Sequence, residues 1–285
     1  MSLVTEKLPI TVVILTKNEE MVVARAIESA LNDYAEVIVL DSFSDDNTVN
    51  IARQAGAAVI QEPFKGYASQ RNFALKDMPK SNEWIFFLDA DEMISEPLTA
   101  ELRRDFAQIK SGNFGMGYVR RKDFFMGRWI RRSSGYPTWF GRLCHASSVR
   151  VEREINEEYR CDRPVMRLSG HLLHYPFAKG VSYWMERHNR YSTAEAVEKI
   201  RGVKSGYGLI FSHDPGLRRK GLKQIYMRLP FRPLIGFLYL YFFRGGFLDG
   251  KAGLRFALLR TFYELLISIK YDEMVAERSE AENRK

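Results

Sequence analysis

The chain has 285 residues, 46% of them hydrophobic, and a formal net charge of +8. This length and composition indicate a globular protein with one large domain, or one domain and an extension. Two cysteines, Cys144 and Cys161, exclude a disulfide framework and indicate a reducing compartment, and we expect neither a secretory signal nor a membrane-spanning helix.

The first third of the chain alternates strand and helix patterns. Strands are predicted at 10–16, 36–41, 58–62 and 84–92, where short apolar runs occur, and helices at 17–32, 45–57 and 67–78. Alternation at this spacing predicts an α/β fold, an open and mostly parallel sheet with helices on both faces.

Polar, acid-rich segments follow three of these strands. They read TKNEE, DSFSDD and DADE. Because ligands of such sheets bind beyond the carboxyl ends of the strands, the three segments predict a binding site at one edge. The glycine-rich motifs of dinucleotide and P-loop sites are absent from the sequence, so a bound nucleotide would need a metal ion and basic side chains for its phosphates.

The rest of the chain changes character twice. Residues 112–180 have an irregular, mostly β pattern, followed by a helix at 181–200 and a basic, aromatic stretch at 217–247. A strongly apolar helix is predicted at 251–271. We therefore expect two domains. Their predicted bounds are 1–205 for a catalytic domain, with a donor-binding half 8–110 and an acceptor half 111–205, and 206–285 for a C-terminal helical, amphipathic and membrane-associating extension.

Asp89 and Asp91 follow the apolar run WIFFL. In an extended strand end, residues i and i+2 point the same way, so the two carboxylates can face one point. Carboxylate oxygens together with substrate phosphates suit Mg²⁺ or Mn²⁺. The alternative is an ordinary solvated strand end. A shared sheet edge with Asp41 favours the metal site over this alternative.

An ordered series of motifs resembles glycosyltransferase family 2, inverting enzymes with a GT-A fold. The motifs are ILTKNEE, VLDSFSDDNTVNIA, GYASQRNFAL, FLDADE, GRWIRR, YPTWFGRL, INEEY, LLHY, ERHNRYST and RGGFLDGKAGL. The series is most similar to the branch with lipopolysaccharide core β-glucosyltransferases and related polysaccharide enzymes. The resemblance implies a GT-A type sheet and a nucleotide-sugar donor, with UDP-hexose as the default.

The resemblance also implies roles for residues in the first half of the chain. Thr16 and Glu19 would meet the nucleoside, Asp41 the base or ribose, and Arg71 the base or the phosphates. Asp89 would contact the ribose and the metal, and Asp91 would be the main metal ligand. The structural alternatives are a helix cap for Thr16, a turn for Asp41 and a surface charge for Arg71. Phe43 stands where many relatives have a glycine, which leaves the local backbone geometry open.

An inverting transfer needs a carboxylate to take the proton from the acceptor hydroxyl. The resemblance points to Glu157, with Glu158 as the next candidate, although the segment has Asn156 where the relatives have histidine. A solvated acidic turn is the alternative. His174 is expected as a third metal ligand, with a buried structural histidine as the alternative; His171 is the weaker candidate.

The basic charge clusters at 120–132 and 218–232, beside aromatic residues. PLIGFLYLYFF is typical of an interfacial helix on an anionic membrane, with core packing as the alternative. We therefore expect a glycosyltransferase on the inner face of the cytoplasmic membrane, acting on a lipid-linked or lipopolysaccharide-core glycan. No nucleic acid is expected as a partner. The alternative functions are a nucleotidyltransferase, and a non-catalytic basic module that binds nucleic acid.

Overall fold

The computed structural model describes residues 6–152, 158–201, 229 and 231–283. The strands are β1 Leu8–Thr16, β2 Tyr34–Asp41, β3 Ala58–Gln61, β4 Trp84–Asp89, β5 Glu92–Ile94, β6 Met116–Phe125, β7 Arg128–Trp129, β8 Trp139–His145, β9 Val149–Glu152, β10 Glu158–Cys161 and β11 Val165–His174. The α-helices are α1 Val23–Leu31, α2 Thr48–Gln54, α3 Tyr67–Lys76, α4 Glu96–Ser111, α5 Gly180–Arg201, α6 Arg232–Leu238 and α7 Gly250–Asn283. A π-helical turn (Tyr239–Phe243) and a 3₁₀ turn (Gly246–Asp249) connect α6 to α7.

The larger sheet has the strand order β3-β2-β1-β4-β8-β6-β11-β5. The first four strands are parallel to one another, β8 is antiparallel to both of its neighbours, and β6 and β11 are parallel. Thr16 lies opposite Asp41, and Leu15 lies opposite Asp89. The acid-rich segments after β1, β2 and β4 therefore meet at one edge, as the sequence predicts.

The core lies on both faces of this sheet. Ile10, Val12 and Ile14 of β1 pack in one cluster with α1 and α4, whereas Val13 belongs to a second cluster that contains Leu75 of α3. A strand buried on both faces needs a continuous apolar run, which is why ITVVIL carries no polar alternation. The predicted fold class, a mostly parallel α/β sheet with helices on both faces and a C-terminal helix, is confirmed.

The chain forms two compact units that differ from the predicted domains. The first unit lies within 1–124 and 136–179, and the second combines 125–135 with 180–285. Helix α5, predicted as part of the catalytic domain, packs along α7 in the second unit. Lys270 Nζ of α7 donates hydrogen bonds to the carbonyl of Asn189 at 2.6 Å and to the hydroxyl of Thr193 at 2.7 Å. Among the described helices, none is both long and apolar enough to cross a membrane.

Candidate functional site

Thr16 and Asp41 form the first part of the site, at the adjoining ends of β1 and β2. Thr16 Oγ1 donates a hydrogen bond to Asp41 Oδ1 at 2.9 Å. The fully buried Asp41 also accepts hydrogen bonds from the Ser44 amide at 2.8 Å, the Ser44 hydroxyl at 2.5 Å and Gln61 Nε2 at 3.2 Å. These contacts are those of a turn-forming aspartate. Contact of Thr16 or Asp41 with a nucleoside stays a prediction.

Phe43 adopts the left-handed conformation that a glycine would favour at this position. Its φ is +57° and its side chain is 50% exposed. A bulky residue in this region costs roughly 1–2 kcal/mol. Lys17 Nζ donates a hydrogen bond to the Phe43 carbonyl at 2.5 Å and pairs with Asp45 at 2.8 Å. The loop after β2 therefore keeps its tight geometry without a glycine and points an aromatic ring outward.

Glu19 lies in the loop after β1, where its carboxylate pairs with Lys179. The distance from Lys179 Nζ to Glu19 Oε2 is 2.7 Å, and the same nitrogen donates a hydrogen bond to the Asn18 carbonyl at 2.6 Å. The Glu19 side chain is only 16% exposed. The structure therefore gives Glu19 a basic partner, and its predicted contact with a nucleoside is not tested by these contacts.

Asp89 ends β4 and accepts hydrogen bonds from two arginines. Arg71 Nη2 of α3 lies 3.1 Å from Oδ1. Arg142 of β8 donates from Nη1 to Oδ1 at 3.2 Å and from Nη2 to Oδ2 at 2.7 Å. Burial opposes ionisation of Asp89, but Arg142 and Arg71 outweigh it and hold the pKa of this carboxyl well below its usual range. Arg71 is 4% exposed, so it is not the surface charge that was its structural alternative.

Glu92 extends this arginine–carboxylate network into the interior. Its side chain is fully buried, and Oε1 accepts a hydrogen bond from Arg142 Nη2 at 2.7 Å. Arg121 Nη1 lies 3.6 Å from the same oxygen. Burial raises the pKa of Glu92, and the Asp89 carboxylate adds to this rise while Arg142 opposes it. Arg142 therefore bridges two carboxylates, one open to solvent and one buried.

His174 lies between two further carboxylates at the end of β11. Its Nδ1 is 2.6 Å from Asp123 Oδ1, and its Nε2 is 3.4 Å from Asp91 Oδ2. Burial lowers the pKa of His174 and Arg121 lowers it further, but Asp91 and the Asp123 hydrogen bond outweigh them and raise the pKa to about 9. The buried histidine and the DADE segment are therefore brought together, and metal binding by His174 stays a prediction.

The raised pKa keeps a proton on the His174 ring at neutral pH, so Nε2 can bind a metal only after that proton is lost; Asp91 and His174 would then supply donor atoms for a divalent ion. Two ligands of one octahedral ion lie roughly 3 Å apart, close to the separation of Asp91 Oδ2 and His174 Nε2. A carboxylate on the other ring nitrogen, here Asp123, orients a metal-binding histidine. Asp89 has arginine partners instead, and the described residues hold no group of three or more His, Cys, Asp or Glu placed for a metal. An ion at this pair would take its other ligands from a diphosphate or water.

The proposed base Glu157 lies outside the described residues. Glu158 begins β10, its side chain is 28% exposed, and Oε1 pairs with Arg160 at 3.4 Å. The choice between these two glutamates therefore stays a prediction.

Four residues of the site were missed by the sequence analysis: Glu92, Arg121, Asp123 and Arg142. Glu92 and Arg142 lie within motifs that were noted, and Arg121 and Asp123 lie within the basic segment 120–132, but each pairs with a residue far away in the chain. A signal was present for Arg142 alone, because an arginine inside the otherwise apolar strand FGRLC must be paired if it is buried. It is 3% exposed.

One protein family matches the sequence of this chain. The model described as glycosyl transferase family 2 matches residues 11–160. The uncharacterized glycosyltransferase RT0209 of Rickettsia typhi is 46% identical over 98 residues, which cover 34% of this chain and 33% of that protein. This chain thus matches about a third of the length of that relative. The lipopolysaccharide core biosynthesis glycosyltransferase LpsC of Rhizobium meliloti is 28% identical over 284 residues, covering 93% of this chain and 92% of LpsC.

Solved structures resemble only part of the chain. The glucosyl-3-phosphoglycerate synthase of Mycobacterium tuberculosis in complex with Mn²⁺, UDP and glucosyl-3-phosphoglycerate matches with a TM-score of 0.32 and 24% identity. The match covers 41% of this chain and 44% of that one. At this level of similarity, the fold class rests on the strand order and the core of the chain itself.

Proposed function

This chain belongs to glycosyl transferase family 2, and we propose that it transfers a sugar with inversion from a nucleotide-sugar, UDP-hexose by default, to a glycan acceptor. The observation that supports this reaction is the set of groups at one sheet edge. Basic side chains for a diphosphate (Arg71 and Arg142) lie beside the Asp91–His174 pair suited to a metal. Asp41, Thr16 and the exposed Phe43 lie at the neighbouring strand ends, where the nucleoside would bind.

Each group has a distinct task in the proposed transfer. Arg71 and Arg142 hold Asp89 ionised and in place for the ribose, and in the proposed complex their guanidinium groups would also meet the donor phosphates. Asp91 and His174 would hold Mn²⁺ or Mg²⁺, which neutralises negative charge on the leaving diphosphate. Asp123 fixes the His174 ring so that Nε2 faces Asp91.

The acceptor hydroxyl must lose its proton as it attacks the anomeric carbon. Glu157 is the proposed base, and the diphosphate leaves from the opposite face of the sugar. Glu158 is the second candidate, and its carboxylate pairs with Arg160 at 3.4 Å.

Binding of nucleoside diphosphates with a metal tests the donor site. UDP with Mn²⁺ at 100 times its dissociation constant should stabilise the fold by ~2.7 kcal/mol, measured as a thermal shift. Asp91→Asn should abolish the metal-dependent part of this shift because the amide is a weaker ligand. GDP and ADP in parallel identify the donor base.

The matched control is Asp105→Asn, since Asp105 lies on the surface of α4 and pairs with its neighbour Arg104. This variant should keep the full shift. A metal-dependent shift that survives in Asp91→Asn would remove Asp91 from the metal site. If no nucleotide shifts the protein but RNA does, the donor-site proposal is wrong.

We also propose that the second unit docks on an anionic membrane at the inner face of the cytoplasmic membrane, where a lipid-linked or lipopolysaccharide-core acceptor would lie. Large apolar side chains around α6 and the π-helical turn are exposed: Phe231, Leu234, Leu238, Tyr239, Phe242, Phe243, Phe247 and Leu248. Phe243 is 83% exposed, and a groove of about 480 Å³ lies among its neighbours. Contiguous apolar surface of this kind marks an interaction site, and the net charge favours anionic lipid as its occupant.

The border charge of this surface is smaller than the sequence suggests. Arg232, at the start of α6, is 2% exposed and pairs with Glu264 of α7 at 3.1 Å. This buried ion pair links α6 to α7, so the Arg232 charge is not available at the surface. The aromatic side chains would therefore carry most of the proposed binding.

Replacing Phe242 and Phe243 together by serine tests the membrane surface. Each phenylalanine inserted into the bilayer contributes roughly 1.5–3 kcal/mol, so the double variant should bind at least tenfold more weakly. Cosedimentation with phosphatidylglycerol vesicles measures this, with Val165→Ser, at a 50% exposed position of the first unit, as the control. Equal binding of the two variants would contradict the proposal.

A further inference from the structure

Two arginine guanidinium groups lie close to the indole ring of Trp139 in the first unit. The guanidinium carbon of Arg120 lies 5.4 Å from the ring centroid, and that of Arg167 lies 5.2 Å from it. Arg120 of β6 faces Trp139 of β8 in register, and His171 of β11 faces Arg120 on its other side. Three neighbouring strands thus place two cations and an aromatic ring at one point.

Neither arginine has an acidic partner in residues 6–152 and 158–201. Arg120 Nη2 donates a hydrogen bond to the Ser169 carbonyl, and its buried Nε has no hydrogen-bond partner among the described residues. Arg71, Arg121 and Arg142, by contrast, each pair with a carboxylate. Two unneutralised guanidinium groups on one ring repel each other, and an anion between them would remove that repulsion.

The surroundings add to the positive potential. His171 Nε2 is 2.8 Å from the Tyr136 hydroxyl, and the two rings stack. Burial, together with the charges of Lys122 and Arg120, lowers the pKa of His171 to about 4. His171 is therefore neutral at physiological pH and holds Tyr136 by a hydrogen bond, while the charge comes from the arginines and Lys122.

We propose that Arg120, Arg167 and Trp139 form a subsite for an oxyanion on the acceptor sugar, a phosphate or a carboxylate. The forked guanidinium group matches both anions, and the tryptophan edge offers apolar contact to a sugar ring. Trp139 begins β8, which runs antiparallel to β4, so the subsite lies toward the strand end that carries Asp89. That the bound anion belongs to the acceptor sugar rests on the proposed function. That the subsite binds an anion does not depend on it.

Binding of small sugars to the full chain tests the subsite without any transfer reaction. Calorimetric titration should show that glucose 6-phosphate and glucuronate bind and that glucose does not. Arg167→Gln, at an exposed position, should weaken binding of both anions at least tenfold. Arg53→Gln removes the same charge from exposed α2 and should leave binding unchanged.

Three results would overturn the subsite. One is no binding of either anionic sugar; another is equal weakening by Arg167→Gln and Arg53→Gln, which would indicate bulk charge. The third is displacement of glucose 6-phosphate by UDP, which would assign the arginines to the donor. Vesicle binding by Arg167→Gln separates a lipid headgroup from a sugar: unchanged binding supports the proposal, and a tenfold loss with no sugar binding contradicts it. If nucleotides fail to bind while the anionic sugars bind, the proposed function is wrong but the anion subsite is still supported.

Discussion

Arg142→Met should destabilise the protein by roughly 3–5 kcal/mol, because removal of one partner leaves a buried charge uncompensated. Arg142 donates to Asp89 and to the fully buried Glu92 through the same Nη2 atom. Without it, Asp89 keeps Arg71, but Glu92 keeps only the more distant Arg121, at 3.6 Å, and the charge of His174 among the described cations that act on it. Because methionine fills a similar volume, the lost free energy of unfolding can be attributed to the missing positive charge. Urea unfolding measures the change.

The control is Arg104→Met, which breaks an ion pair between Arg104 and Asp105 on the surface of α4. Exposed ion pairs contribute little to stability, so this variant should unfold at the same urea concentration as the unchanged protein. If both variants unfold alike, Arg142 is not a structural bridge.

A double variant distinguishes lost charge pairing from poor packing. Glu92→Gln in the Arg142→Met background removes the unpaired carboxylate and should recover part of the stability. Recovery would show that Glu92 is the group left uncompensated. No recovery would place the damage in the packing of methionine against Phe140, over whose ring the Arg142 guanidinium lies at 5.6 Å.

The sheet and its functional edge could be predicted because both depend on local pattern. Each of the first four strands is an apolar run of β-branched and aromatic residues, and the predicted bounds of β1, β2 and β3 differ from the observed ones by two residues or fewer. Parallel strands bring their carboxyl ends together, so the meeting of Thr16 with Asp41 follows from topology.

The partners of the site could not be predicted, since they depend on pairing across long sequence separations. Asp89 meets Arg142 because β8 pairs with β4, and a bulge in its pairing with β6 alters which side chains share a face. The alternation of side chains along one strand predicted that Asp89 and Asp91 face one point. It could not predict that Asp89 pairs with two arginines and Asp91 with His174. The packing of α5 on α7 could not be predicted for a similar reason, because it joins residues such as Asn189 and Lys270, which lie 81 positions apart.

Glu157→Gln should lower kcat by roughly 10²–10⁴-fold, because glutamine cannot take a proton from the acceptor hydroxyl. Affinity for the nucleotide should stay unchanged, since the donor groups lie at the ends of β1, β2 and β4. Steady-state transfer with saturating UDP-hexose and calorimetric UDP binding measure the two quantities. A fall in kcat without a fall in nucleotide affinity is the signature of a base, whereas a misfolded variant loses both.

Glu158→Gln is the matched control, one residue away with the same chemical change. The Glu158 side chain pairs with Arg160 on its own hairpin strand, so its loss should change kcat by less than about tenfold. The opposite ranking would move the base to Glu158. Equal, small effects of both changes would exclude this segment and require a base from another element at the same edge.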